Sequence, residues 1–356
     1  MRPKQQVNMA DVARRTNVSI ATVSRALRGE PGVSEPTRLR IQAAANDLAY
    51  VISPEASGLS GGATGRVAVV VPGINAWFYS TVVAGIEKEL RAAGLDTLLY
   101  CLEVSTQREA FFTHLPLRRK VDAIIVVAFP LTPQERIRLE EMGVSVAIVG
   151  AHAGDFLSIN IDDQRAAEQA VGHLTRLGHT KIGMIRAVDP EGMSYESDRS
   201  RLAGYRAELK KAGLTGDDLV VTPPWGIEGG EHGMELLLSK PDVPTAVFCH
   251  SDEVAVGALR TLRRAGIPVP QAMSVISIDD HPVAELADLT TVRQPVEEQG
   301  AVAGHAIVEM LNGHEPTERA TVLPTQLVIR GSTARPPSET TGAGAVPLVH
   351  TSDWRP

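Results

Sequence analysis

Cysteine and aromatic residues are scarce in this chain: two Cys, three Trp, five Tyr and six Phe among 356 residues. Two cysteines without ligand spacing exclude a disulfide framework and a thiolate metal site. Both lie in apolar strand-like runs, LLYCLEV around Cys101 and TAVFCH around Cys249, and read as buried free thiols of a reducing compartment. No run of about 18 apolar residues occurs, so no transmembrane helix and no membrane partner are expected. The opening MRPKQQVNMADVARRT has no apolar signal-peptide core, which predicts a cytoplasmic protein. A phosphate-loop G-x-x-x-x-G-K-[ST] and a Cys/His metal set are also missing, and the ten histidines are scattered. No cofactor and no metal are implied, and an enzyme is disfavoured.

What is present is unevenly distributed. The net charge is −7, yet residues 1–62 carry eight Lys/Arg against five Asp/Glu. A positive head on an acidic body points to an anionic partner for the head alone. The head reads as three short helices. Asn8 caps the first, Met9 to Thr16, and Asp11 sits in its first turn. TNVS breaks it, with Asn17 suited to the left-handed turn and Ser19 capping a second helix to about Arg28. That helix buries Val23, Ala26 and Leu27, and Gly29 ends it. A third starts at Ser34 and is expected to turn Leu39, Ile41, Ala44, Ala45 and Leu48 inward.

After the glycine-rich linker SPEASGLSGGATG, apolar strands alternate with helices: RVAVVVP, DTLLYCLEV, VDAIIVVAFP, VSVAIVG, TKIGMIRA, TAVFCHS, MSVISIDD and a last strand in TVLPTQLVIRGST. Continuous apolar strands between helices predict parallel sheets covered on both faces. They are too many for one compact sheet, and a break near Ile161–Asp163 suggests two lobes. The fold class is α/β: a three-helix helix-turn-helix domain followed by a two-lobed, doubly wound parallel-sheet domain. The expected boundaries are 1–50 for the head and 51–65 for a hinge. One lobe takes 66–162 with 293–320, the other 163–292 with 321–334, and 335–356 form a disordered Pro/Gly/Thr-rich tail.

Two short helices joined by a tight turn suit DNA reading. The second would point Ser19, Ile20, Ala21 and Thr22 outward, with Arg25 one turn on: small residues for close approach, hydroxyls for phosphates, and a guanidinium for guanine. The segment MADVARRTNVSIATVSRALRGEPGVSEPTRLRI resembles the amino-terminal domain of the LacI/GalR family of transcriptional regulators, whose pattern is D-V-A, V-S-x-x-T-V-S-R and V-S-x-x-T-R-x-R-[IV]. TGRVAVVVP, HLTRLGHTKIGMI, RLAGYRAELKKAGL, SDEVAVGALRTLRRAGIPVPQAMSVISIDD and LTTVRQP resemble further landmarks of that family, in order, as far as about Ala334.

The resemblance implies Ile20, Ala21 and Arg25 as base-reading positions, with Ser19, Thr22 and Ser24 nearer the phosphates. Asn17 stands where the family usually has glycine. The linker would fold into a hinge helix on the operator, with Ala56 and Leu59 matching its A-x-x-L and Leu59 wedging into the minor groove. Ile52 replaces the usual proline and Gly58 weakens helix formation, so the hinge is expected to fold only on DNA.

Two lobes imply a cleft at the carboxyl ends of the strands. Trp77, Phe78 and Tyr79 follow one strand, Arg199 and Arg201 end a polar loop, and Trp225 lies in PPWGIE. His250, Ser251 and Asp252 follow TAVFC, with Asp252 expected to cap the next helix, and Asp279 and Asp280 follow SVISI. The resemblance places Trp77, Phe78, Arg201, Trp225 and Asp279 at effector contacts, with Asp163 and Ser251 as further candidates. It also shows a departure: Trp77 replaces a common proline and Ala76 a common asparagine. The expected protein is a homodimeric repressor on a near-palindromic double-stranded operator, controlled by a small molecule, most simply a sugar, with a purine or nucleoside as the alternative. A sugar-binding protein or enzyme with no regulatory role is the reading from a different class.

Overall fold

A computed structural model describes residues 7–27, 29–48, 50, 63–187 and 196–337. The hinge positions Ala56 and Leu59, and the tail from residue 338, lie outside the described residues. The chain divides into two units, Met1–Arg66 with Leu117–Asp122, and Val67–Pro116 with Ala123–Pro356.

The first unit contains α1 (Met9–Thr16), α2 (Ile20–Leu27) and α3 (Glu35–Asp47). A reciprocal capping box starts α1: Asn8 Oδ1 accepts from the Ala10 and Asp11 N–H groups, and Asp11 returns a bond to the Asn8 N–H at 2.9 Å. Asn17 closes α1 in the left-handed region at φ 53°. Val12, Ala13, Val23, Ala26, Ile41, Ala44 and Ala45 form the core. Leu39, expected inside, is 57% exposed. The inward stripe runs Ile41, Ala44/Ala45, Leu48 at helical spacing, and a residue two positions before Ile41 falls on the opposite face.

The second unit is built on two six-stranded sheets. The first uses β1 (Arg66–Val71), β2 (Asp96–Cys101), β3 (Ala123–Val127), β4 (Ser145–Val149), β5 (Leu157–Ile161) and β11 (Ala320–Leu323), in the order β11-β5-β4-β3-β1-β2. The second uses β6 (Ile182–Ile185), β7 (Val220–Val221), β8 (Ala246–Cys249), β9 (Ser274–Asp279), β10 (Thr290–Arg293) and β12 (Gln326–Val328), in the order β12-β10-β9-β8-β6-β7. Core pairings such as β1–β3 and β8–β9 are parallel, while β10–β12 is antiparallel. The final strand foreseen as one piece is two, in different sheets: Pro324 interrupts it, fixing φ and removing a ladder donor. Cys249 is buried but Cys101, on the edge strand β2, is only half-buried, and both thiols are free.

The helices of this unit are α4 (Trp77–Ala92), α5 (Ser105–His114), α6 (Pro133–Glu140), α7 (Asp163–Leu177), α8 (Glu196–Lys211), α9 (Ile227–Leu238), α10 (Asp252–Arg264), α11 (Pro282–Leu286) and α12 (Val296–Leu311). The chain passes between the sheets after β5, after β10 and between β11 and β12. After β10 it returns as α12, which packs on α4 so closely that a Cβ at Gly85 would sit 2.1 Å from the Glu297 carbonyl oxygen. Among the described residues, no helix is long and apolar enough to cross a membrane.

Candidate functional site

In the helical unit the polar end of α2 faces solvent. Ser19, Ile20, Ala21 and Arg25 are exposed, Thr22 and Ser24 are half-buried, and Val23 and Ala26 anchor the opposite face. Ser19 Oγ accepts from the Thr22 N–H at 3.1 Å and pairs with the Thr22 hydroxyl at 2.8 Å, so these two hydroxyls fix the start of the helix. Ile20 is 52% exposed, an apolar residue that the fold of this unit does not use. At the other end, Arg38 donates to the carbonyls of Ala26 and Glu30 at 3.2 and 2.9 Å. A cation on the carboxyl end of α2 is favourable for the helix dipole and locks α2 onto α3. Sequence reading missed this role, because the pairing is made only when α3 folds back.

In the α/β unit, the carboxyl ends of strands from both sheets converge on one cleft. Its volume, counted out to open solvent, is about 690 Å³. Trp77, Phe78, Asp163, Arg201, Trp225 and Asp279 all line it. Ser251 does not: it is 1% exposed, and its hydroxyl caps α10 by accepting from the Val254 N–H at 3.4 Å. The cap expected of Asp252 therefore belongs to its neighbour. Asp252 is instead buried and accepts from the Ser277 and Thr291 hydroxyls at 2.5 and 2.7 Å and from the His281 N–H at 2.7 Å, tying β9 to β10. Burial pushes its carboxyl up to about 6 despite those bonds.

Arg201 is the cleft's buried cation. Its Nε donates to Asp163 at 2.8 Å and its Nη1 to the His250 carbonyl at 2.6 Å, so the pair joins the start of α7 to α8 and to the end of β8. Asp279 stands at the end of β9 and accepts from Gln294 Nε2 at 2.6 Å, and Gln294 in turn accepts from Gln299 at 3.0 Å. Burial pushes the Asp279 carboxyl up to about 8, with Arg201 pulling the other way and Asp252 adding to the rise. His250 is buried, its Nδ1 has no hydrogen-bond partner, and burial followed by the Arg201 and Arg186 charges holds its imidazole well below the usual range. It is therefore a neutral ring with a spare nitrogen.

The aromatic rings come from both lobes. Trp225 meets His250 edge-on at 5.2 Å, and Trp77 meets His281 at 4.9 Å. Glu253 accepts from the Trp225 indole at 3.3 Å and from the Trp77 backbone N–H at 3.4 Å. Backbone strain gathers at the same place: Ala128 after β3 has φ 57°, Asp279 φ 136° and Asp280 φ 59°. Asp280 is held by Arg293 and Arg330, each at 2.6 Å, which keep its carboxyl low against the opposing effect of burial. Glu253, Gln294 and Gln299 were not foreseen. Gln294 directly follows the strand β10, Thr290–Arg293, and was open to the same strand-end reasoning as Asp279. A cleft of aromatic faces, one paired guanidinium, amides and carboxyls is suited to binding a polar, ring-containing molecule.

Comparison with known proteins gives the same division. Residues 8–53 match the model of bacterial regulatory proteins of the lacI family, and residues 171–333 match the periplasmic binding protein-like domain. The chain is 32% identical over 343 residues to the HTH-type transcriptional repressor CytR of Escherichia coli (strain K12), covering 94% of this chain and 99% of that one. A solved lac repressor dimer bound to operator and the anti-inducer ONPF is 26% identical with a TM-score of 0.82, over 93% of this chain and all of that one. A complex of the transcriptional regulator CelR with cellobiose is 30% identical with a TM-score of 0.68, over 92% of this chain and all of that one.

Proposed function

The chain belongs to the lacI family of bacterial regulatory proteins, and we propose that its cleft binds a neutral sugar that sets its grip on DNA. It is a DNA-binding transcriptional regulator and not an enzyme. The observation that carries the sugar reading is the pairing, in one cleft, of Trp77 and Trp225 with Arg201, Asp163 and Asp279. Indole faces stack on the C–H face of a pyranose or furanose, while carboxyl and guanidinium groups fork onto adjacent hydroxyls. The cellobiose bound in the CelR structure is in keeping with that chemistry. The same aromatic faces would stack on a nucleobase, which keeps a purine or nucleoside as the second reading.

The proposed protein is a homodimeric, cytoplasmic repressor on a near-palindromic operator. Each head enters a major groove with Ile20, Ala21 and Arg25 toward the bases and Ser19, Thr22 and Ser24 toward the phosphates, the half-sites lying about one helical turn apart. Ala56 and Leu59 form the hinge, and Leu59 from each subunit wedges into the central step. Ligand acts by binding one orientation of the lobes more tightly than the other, since only differential affinity shifts such an equilibrium.

Thermal-shift measurements on the purified chain test the ligand class. A neutral sugar such as cellobiose or ribose should raise the melting temperature in proportion to the logarithm of its concentration. Stabilisation by a purine nucleoside with none by any sugar would overturn the reading.

A further inference from the structure

Helix α4 begins at the cleft with no cap of its own. Its N-cap residue is Ala76, in the extended conformation that N-cap residues adopt (φ −89°, ψ 140°) but with no side chain to accept a bond, and its first turn contains no acidic residue. The acceptor comes from the other lobe. Glu253, in the first turn of α10, reaches across the cleft and takes the Trp77 N–H on Oε1 at 3.4 Å, while Oε2 takes the Trp225 indole N–H at 3.3 Å. One carboxylate thus lies between the amino ends of two helices, its own α10 and the facing α4. Both ends carry partial positive charge, so a carboxylate between them attracts each, and its removal leaves two like poles facing across the cleft.

We propose that Glu253 is a positioning residue that holds the cleft closed by capping α4 from the opposite lobe and seating Trp225 at the same time. When the lobes part, α4 loses its cap and Trp225 its acceptor together, so closure of the cleft and the setting of its aromatic platform are one event. A second polar contact between the lobes, His152 to Glu196, lies on the rim with side chains 53% and 35% exposed, where water screens it. Glu253 lines the cleft itself and is half-buried there. The proposal rests on the reading of this cleft as the ligand site of a switch, and its test uses neither ligand nor operator, so the two can fail separately.

The test is acrylamide quenching of tryptophan fluorescence in the full chain carrying Trp354→Phe, so that only Trp77 and Trp225 emit. Glu253→Ala should raise the quenching constant about threefold, within the roughly fivefold change in equilibrium that loss of a helix cap brings. Glu253→Gln keeps shape and one acceptor and should give a smaller rise. Ala76→Asn supplies a local cap that serves α4 whether the cleft is open or closed, so in that background Glu253→Ala should change quenching only slightly. Unchanged quenching in both Glu253 variants would overturn the proposal, as would an equal rise with and without Ala76→Asn.

Discussion

The head and the cleft use polar groups in opposite ways. On α2 the groups proposed to meet DNA stand in water: Ser19, Ala21 and Arg25 are exposed, and the guanidinium of Arg25 is held against no carboxylate among the described residues. In the cleft the groups are withdrawn from water, and each buried charge is already paired or shifted: Arg201 on Asp163, Asp279 protonated more readily than an ordinary carboxyl, His250 neutral. A surface that meets a polyanion gains from long-range attraction and needs no preformed partner. A cleft that must tell one uncharged ring from another gains its selectivity from desolvated groups that a wrong ligand leaves unsatisfied. The contrast is what the two proposed partners call for, and it predicts that damage to one region leaves the other's binding intact.

The largest effect is expected at Arg201. Arg201→Ala strands Asp163 and the His250 carbonyl, at a cost of about 3–5 kcal/mol for a broken buried pair. Ligand affinity by calorimetry should fall more than about 100-fold, while operator affinity without ligand should stay unchanged. Next is Arg25→Ala, which should weaken operator binding by roughly 1–3 kcal/mol. Its melting temperature should hardly move, because the side chain is exposed and outside the head's core. Leu59→Ala should weaken operator binding roughly tenfold and abolish the bend seen in a circular-permutation gel shift, if the leucine is the wedge.

The last expected effect, read in stability rather than in binding, is the most specific to the cleft. Folding lifts the Asp279 carboxyl from 3.8 to about 8, so the folded state holds a proton that the unfolded chain releases. The stability linked to this group is full below its unfolded value and falls as pH rises to about 8. Asp252 adds a decline in the same direction, ending near 6. Asp279→Asn should flatten the fall in melting temperature between pH 5 and 8, while leaving the part below about 6 that Asp252 supplies.

The same contrast explains what could be read from the amino acids. The inward and outward faces of α2 were legible, because core and exposed positions alternate within eight residues, Ile20–Leu27. Asp279 was legible because it ends an apolar strand run, where parallel sheets present ligand-binding groups, whereas Arg201, expected at the end of a polar loop, stands in the second turn of α8. Glu253 was not, since its partner Trp77 is 176 residues away and the bond exists only when two helix starts face each other. Ser251 and Asp252 were exchanged because hydroxyl and carboxylate both cap helices, and only backbone geometry decides which of two neighbours does so. The split of the last strand lay hidden in Pro324, which reads equally as an edge residue or as a break.

The central claim is that occupancy of the cleft changes the grip of the head. The direct measurement is a fluorescence-anisotropy titration of a labelled operator duplex, selected from genomic DNA by the wild-type protein. It is run with and without the sugar that stabilises the protein, in wild type and in Arg201→Ala. A change in operator Kd of at least about fivefold in wild type, the lower end of usual allosteric coupling, with no change in Arg201→Ala, is predicted. An operator Kd that a stabilising sugar leaves unmoved in wild type would contradict it.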